Sequence, residues 1–339
     1  MSADAGSITP EFAGFLDRFL RAEIAGLDGP MSMEQIYGGQ SNPTYFVTYG
    51  NRRLVMRKQP PGKLLPSAHA VDREYRIISA LAQTDVPVPP AVLFCDDASI
   101  TGTPFYVMER VEGRIFHDLT LPGAVREERR AMYRATAKTL AALHNVDFAA
   151  VGLGDYGKPG NYFARQIARW SKQWELSKTR EDSNVDRLIA WLPENIPDDD
   201  TTSIAHGDYR IGNLMFHPTE PRVVAILDWE LSTLGHPLAD VAHSAIAWLT
   251  AAEEYSGLIG VDIDALGIPS LDAYVTDYNS AARRPLELSN FHKAFALFRW
   301  TIIFEGIAAR AKAGNAADAT AASAGAHAHA FARRAAALI

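Results

Sequence analysis

His206-Gly207-Asp208-Tyr209-Arg210-Ile211-Gly212-Asn213, followed fifteen residues later by Asp228 at the end of Val224-Ala225-Ile226-Leu227, decides how the rest of the chain is read. The stretch holds an Asp, an Asn five positions on, and a second Asp closing an apolar run. Phosphoryl transfer from a nucleotide calls for such groups. One carboxylate takes a proton from a hydroxyl, while an amide oxygen and a second carboxylate hold Mg²⁺ against the phosphates. Asp208 is therefore the candidate base, and Asn213 and Asp228 are the candidate metal ligands. His206 is expected to support the loop by hydrogen bonding. Turn chemistry alone would also place Asp and Asn between strands; the downstream position of Asp228 argues for chemistry.

Around this stretch, short strands are expected at 203–206, 213–216 and 223–228. Gly235-His236-Pro237-Leu238-Ala239-Asp240 then opens a helix with proline in its first turn, and Asp240 is placed to hydrogen-bond back to the loop. Most of the remainder after Gly113 has helical periodicity, over about 125–146, 161–178, 237–250 and 288–312. An alanine-rich segment from about 315 to the end reads as a further helix. Its His327 and His329 are two apart and point to different faces, which disfavours a metal site.

Upstream, Glu11–Leu27 repeats apolar residues at a helical period. Strands follow at Tyr45–Tyr49 and Leu54–Met56, with a turn at Gly50-Asn51, and at Ala91–Cys95 and Phe105–Glu109. A helix over 68–83 interrupts them. The class is thus α+β: a small antiparallel sheet with one helix, then a larger helical body. Domain limits are set at 1–30 for the N-terminal helix, 31–111 for the nucleotide-binding sheet lobe and 112–339 for the helical lobe with the catalytic loop.

Gly38-Gly39-Gln40-Ser41-Asn42 precedes the first hairpin. Gly39 would let backbone N–H groups approach phosphates, with Ser41 and Asn42 as further donors. A plain turn explains the glycines equally well. In Leu54-Val55-Met56-Arg57-Lys58, strand alternation sets Val55 and Arg57 on one face, as an adenine-and-phosphate surface requires. Arg57 is favoured as the phosphate contact, although a bulge would exchange it for Lys58. Glu74, on the following helix, is the expected acidic partner. In a two-lobed kinase the stretch from Phe105 to Gly113 would be the hinge. Backbone groups around Glu109 and Val111 would there bind adenine.

The 339 residues suffice for two cores, and 47% hydrophobic with 22% charged residues is ordinary for a globular protein. A formal net charge of −7 gives no basis for nucleic-acid binding. Cys95, the only cysteine, excludes an intramolecular disulfide and a thiolate metal cluster. The N-terminus lacks the pattern of a signal peptide and no apolar run approaches membrane-spanning length, so a cytoplasmic location without membrane contact is expected.

These motifs together resemble the aminoglycoside phosphotransferase and choline kinase superfamily, from about residue 33 to beyond 300. More narrowly, Arg57-Lys58-Gln59-Pro60-Pro61-Gly62-Lys63-Leu64-Leu65-Pro66-Ser67-Ala68-His69 and Val111-Glu112-Gly113-Arg114-Ile115-Phe116 are similar to the kinase-like domain fused to some acyl-CoA dehydrogenases. The resemblance implies a bilobal protein-kinase-like fold, ATP and Mg²⁺. It also implies Asp208 as base, Asn213 and Asp228 as metal ligands, and Glu74 as partner of a strand cation. That cation is Lys in most of the superfamily; here Arg57 fits the position. The Asp-Trp-Glu at 228–230 departs from the Asp-Phe-Gly of protein kinases, and no long activation segment follows, which argues against a protein substrate. The implied acceptor is a small-molecule hydroxyl, such as a hydroxylated acyl-CoA or another alcohol. Two alternatives stay open. One is a catalytically silent nucleotide-binding module. The other is a metal-dependent phosphohydrolase using His206, Asp208, His217, Asp228, His236, Asp240 and His243.

Overall fold

Alternating apolar residues and a Gly50-Asn51 turn generate the hairpin over 44–58 of the computed structural model, which describes residues 10–36, 42–62, 69–255, 257–313 and 323–339. Gly39 and Ser41 lie outside the described residues, as do residues 63–68. The chain divides into two compact units, residues 1–113 with 224–231, and 114–223 with 232–339.

The first unit begins with helix α1 (Pro10–Glu23). Strands β1 (Ser32–Ile36), β2 (Thr44–Thr48) and β3 (Arg53–Lys58) follow, then helix α2 (Val71–Leu81), β4 (Ala91–Cys95), the single turn α3 (Ala98–Thr101) and β5 (Phe105–Glu109). The strands form one antiparallel sheet in the order β1-β2-β3-β5-β4. Leu16 and Leu20 of α1, with Ile24 just after it, are buried against Tyr45, Val47, Leu54, Met56, Phe105 and Val107 on one sheet face. Each of these leucines contributes about 1.5–3 kcal/mol by leaving water. The N-terminal helix therefore shares the core of the sheet lobe, where a separate segment ending at residue 30 was expected.

On the opposite sheet face lies α2. It starts at Val71, three residues later than the expected limit of 68, because His69 takes a left-handed backbone conformation (φ 60°). In the β3–β5 register Arg57 stands opposite Tyr106. Directly opposed residues in an antiparallel pair share a face, so both side chains point toward α2, while Leu54 and Met56 point toward α1.

The second unit opens with β6 (Arg114–Ile115), α4 (Arg126–His144), α5 (Tyr162–Ser177), α6 (Ser183–Glu194), β7 (Ser203–Ala205) and β8 (Leu214–Phe216). At β9 (Val223–Ile226) the chain crosses into the first unit. There the Ile226 N–H donates to Pro87 C=O at 2.8 Å, and the turn Trp229–Leu231 packs on α2. The segment 224–231, expected with the helical lobe, thus belongs to the sheet lobe. After β10 (Thr233–Gly235) come α7 (Pro237–Leu249), the single turn α8 (Ile263–Leu266), α9 (Leu271–Ala281), α10 (Asn290–Lys312) and α11 (Ala324–Ala336). Helix α10, flanked by α5, α7 and α11, forms the spine of this unit. Among the described residues no helix is long and apolar enough to cross a membrane.

Candidate active site

In the first unit, Arg57 projects from β3 into a nearly closed polar cluster. Its Nη1 lies 3.2 Å from Glu74 Oε2, and its Nη2 lies 3.3 Å from Asp228 Oδ1. Glu74 is 1% exposed, so its charge must be met by donors. Besides Arg57, the Tyr106 hydroxyl donates to Oε2 at 3.0 Å and the Asn42 amide to Oε1 at 2.5 Å. Burial pushes the Glu74 carboxyl up, against the pull of Arg57. Arg57 stays protonated because Glu74, Tyr106 and Asp228 outweigh its own desolvation.

Strand alternation thus sends Arg57 to Glu74. Lys58 sits on the α1 face instead, its ammonium 5.0 Å from the Phe12 ring centroid. Asn42, expected as a phosphate donor, is 5% exposed and spends its amide on Glu74. The buried carboxylate claims that donor first. Val55 is buried in β3. Glu109 turns its carboxylate to Arg52 at 2.5 Å, while the Val111 N–H and C=O meet no partner among the described residues. Asp228 adopts a left-handed backbone (φ 64°), which Asp tolerates better than most residues. That conformation turns its carboxylate out of the β9 direction toward Arg57.

In the second unit, the loop from His206 to Asn213 is held from below by Asp240. This side chain is 1% exposed and lies in the first turn of α7. Its Oδ2 accepts the His206 N–H at 2.6 Å and its Oδ1 the Gly207 N–H at 2.9 Å. His144 Nε2 approaches the same Oδ2 at 3.3 Å. Burial would raise the Asp240 carboxyl, but His144, His206 and the Gly207 N–H reverse the direction and hold it below its ordinary value. Gly207 is left-handed (φ 85°), a conformation in which a Cβ would be strained. His206 Nδ1 accepts the Asp208 N–H at 3.2 Å, which is the supporting role expected of it.

Above this base, both oxygens of Asp208 are engaged. Oδ1 lies 2.9 Å from His243 Nε2, and Oδ2 accepts from the Asn213 amide at 2.7 Å with Arg210 Nε at 3.4 Å. Burial again pushes this carboxyl up, yet His243, Arg210 and His206 outweigh it and hold Asp208 well below the usual carboxylate range. It is ionised at neutral pH, as a proton acceptor must be.

The Asn213 amide also donates to the Asp208 C=O at 2.9 Å. Both partners are pure acceptors, so the amide orientation is fixed and Oδ1 is left facing away from them. Asn213 is 7% exposed, and that oxygen has no donor among the described residues. Asn213 offers a neutral oxygen in this unit and Asp228 a charged one in the first, each a ligand type that suits Mg²⁺.

The histidines of the hydrolase alternative in this unit enter separate networks. His217 Nδ1 accepts from the backbone of Thr219 and Glu220. His236 Nδ1 caps α7 through the Leu238 N–H. His243 serves Asp208. Among the described residues no group of three or more His, Cys, Asp or Glu is arranged to hold a metal ion. Sequence reasoning assigned no role to His144 or Tyr106, and gave His243 only as a metal ligand. The spacing of Asp240 and His243, three apart on one helix face, was the available signal.

A sheet lobe with a buried arginine–glutamate pair and a helical lobe bearing an Asp-plus-Asn loop define the kinase-like class of phosphotransferase folds. Solved structures agree. A Ralstonia eutropha protein provisionally assigned to the aminoglycoside phosphotransferases is 46% identical, with a TM-score of 0.89 over 96% of this chain and 97% of that one. A thermostable mutant of aminoglycoside phosphotransferase APH(4)-Ia, solved in ternary complex with AMP-PNP and hygromycin B, shares the fold at 15% identity. Its TM-score is 0.61 over 94% of this chain and 98% of that one. The chain belongs to the phosphotransferase enzyme family, whose model matches residues 32–288. It is also 44% identical over 296 residues to acyl-CoA dehydrogenase family member 10 of Mus musculus, covering 86% of this chain but 28% of that protein. The chain thus spans less than a third of that relative.

Proposed function

We propose that this chain transfers the γ-phosphoryl group of ATP, with Mg²⁺, to a hydroxyl of a small molecule. The observation that carries the reading is the Asp208 carboxylate. It is held ionised, with both oxygens oriented, beside an Asn213 whose own oxygen meets no donor among the described residues. Asp208 accepts the hydroxyl proton as the acceptor oxygen bonds to phosphorus and the bond to the ADP leaving group breaks. With both oxygens oriented, it suits a loose transition state in which positioning matters more than basicity. Asn213 and Asp228 are the residues that would hold Mg²⁺, which would neutralise phosphate charge. Arg57, fixed by Glu74, faces the phosphates with a planar fork in place of a lysine ammonium. Val111, whose backbone groups meet no partner among the described residues, is the adenine edge, the Glu109 N–H being taken by Pro90 C=O, and Val55 supplies apolar surface to the base. Gly39 and Ser41 belong to the same proposal as phosphate donors. The acceptor class is a hydroxylated acyl-CoA or another alcohol, and the location is cytoplasmic.

The test is ADP release with a panel of hydroxylated acyl-CoAs, choline and aminoglycosides, with ³¹P NMR of the product. Asp208→Asn is expected to lose about a thousandfold or more in turnover while keeping its fold. Unchanged turnover in that variant ends the proposal.

A further inference from the structure

Helix α7 presents the His243 imidazole to the catalytic loop, with Nε2 2.9 Å from Asp208 Oδ1. From α10, the Trp300 indole donates its Nε1–H to His243 Nδ1 at 3.3 Å. The two rings meet nearly edge to face, centroids 5.5 Å apart at 67°. An indole nitrogen is a donor only, so it engages the Nδ1 lone pair and leaves the imidazole proton on Nε2, aimed at Asp208. Burial favours this neutral ring. His243 is 4% exposed, and desolvation lowers its proton affinity against the pull of the Asp208 carboxylate.

We propose that His243 is a positioning residue for Asp208: a neutral imidazole, locked by Trp300, that fixes the carboxylate rotamer and does not receive its proton. The inference rests on the reading of Asp208 as the base. Nε2 already carries a hydrogen and Nδ1 is occupied by Trp300, so a proton taken from an acceptor hydroxyl finds no vacant site on the ring. The proton therefore leaves Asp208 for the phosphorylated product or solvent and not through the ring. With Oδ1 held by His243 and Oδ2 by Asn213, the carboxylate plane is set from two sides. The Asn213 side comes from the catalytic loop itself, whereas the His243 side comes from a packed helix. His243 therefore ties the base to the rigid body of the unit.

Two substitutions separate positioning from proton relay. His243→Gln places an amide N–H near the imidazole Nε2–H and cannot carry a proton onward. His243→Leu keeps bulk and removes the donor. The expected result, in Mg²⁺-dependent ADP release, is turnover within a fewfold of wild type for Gln and a kcat loss of about a hundredfold for Leu, with KM for ATP unchanged in both. Equal large losses in the two variants would mean a relay, and no loss in Leu would mean a packing contact; either result overturns the inference. Should Leu fail to fold, Trp300→Phe removes the lock and keeps an aromatic ring, with an expected kcat loss of about tenfold; full activity there counts against the lock. ¹⁵N NMR of the histidines in the wild-type protein reads the tautomer without any acceptor. A bare Nδ1 and protonated Nε2 on His243 are expected, and the reverse tautomer overturns the inference. The expected tautomer in a protein that never turns over ATP would instead count against the kinase reading alone.

Discussion

The polar cluster of the sheet lobe and that of the helical lobe solve the same problem differently. Glu74 is buried against a full opposite charge, Arg57, with Tyr106 and Asn42 completing its shell. Asp240 is buried just as deeply but is met by backbone N–H groups of the loop it supports and by His144. Charge compensation couples two side chains to each other, so each is costly without its partner. Donor compensation couples a side chain to the backbone and dictates the path of the chain. The first arrangement aims a cation; the second shapes a loop.

The largest effect that tests this contrast falls on Asp208, which sits on the shaped loop. Asp208→Asn removes the proton acceptor but not the scaffold, so turnover is expected to collapse by about a thousandfold with a melting temperature near that of wild type. A large fall in melting temperature would show that the loop depends on its base as well as on Asp240. Next comes Arg57→Met, which strands Glu74 as an uncompensated buried charge and is expected to cost about 3–5 kcal/mol by chemical denaturation. Adding Glu74→Leu should recover much of that loss. Asp240→Ala is expected to cost about 1–3 kcal/mol by leaving two buried N–H groups unsatisfied. A second change at His144 should recover nothing, because the orphaned partners are backbone. Recovery there would erase the distinction between the two clusters.

The smallest effect is one of pH. His236, 1% exposed, is pushed down to about 4 by burial, and His292 beside it to about 3. Both rings are neutral in the folded protein at neutral pH. Their contribution to stability is fully present above the ordinary histidine value of 6.5 and is lost as the pH falls toward 4, because the unfolded chain takes up protons first. Urea midpoints measured from pH 7.5 down to 4.5 should decline, and less steeply in His236→Asn. A midpoint independent of pH in this window would contradict the burial of these rings.

Much of this was legible in the sequence for physical reasons. Period-2 alternation placed Arg57 and Lys58 on opposite faces, and the register opposite Tyr106 carries that through to Glu74. Proline in the first turn marked the start of α7, and Asp240 was already aimed at the loop. Less legible were contacts that depend on tertiary approach. Trp300 meets His243 from a helix 57 residues away in sequence, and no local pattern encodes that encounter. Asn42 read as a free donor because its competitor, the buried Glu74, is 32 residues distant. The single turn Trp229–Leu231 gave no sign that it packs on α2. Helices α6 and α9 were not singled out, although each opens with a capping side chain. Asp182 accepts from the Asn184 N–H, and Ser270 from the Ala273 N–H, both readable signals of a helix start.

The proposed binding of ATP with Mg²⁺ is tested most directly by thermal unfolding with ATP and ADP, each with and without Mg²⁺. A ligand that binds only the folded state raises the melting temperature with its concentration. A Mg²⁺-dependent rise with ATP that disappears in Asp228→Ala is expected. A rise unaffected by Mg²⁺ and by that substitution, or no rise with any nucleotide, would contradict it.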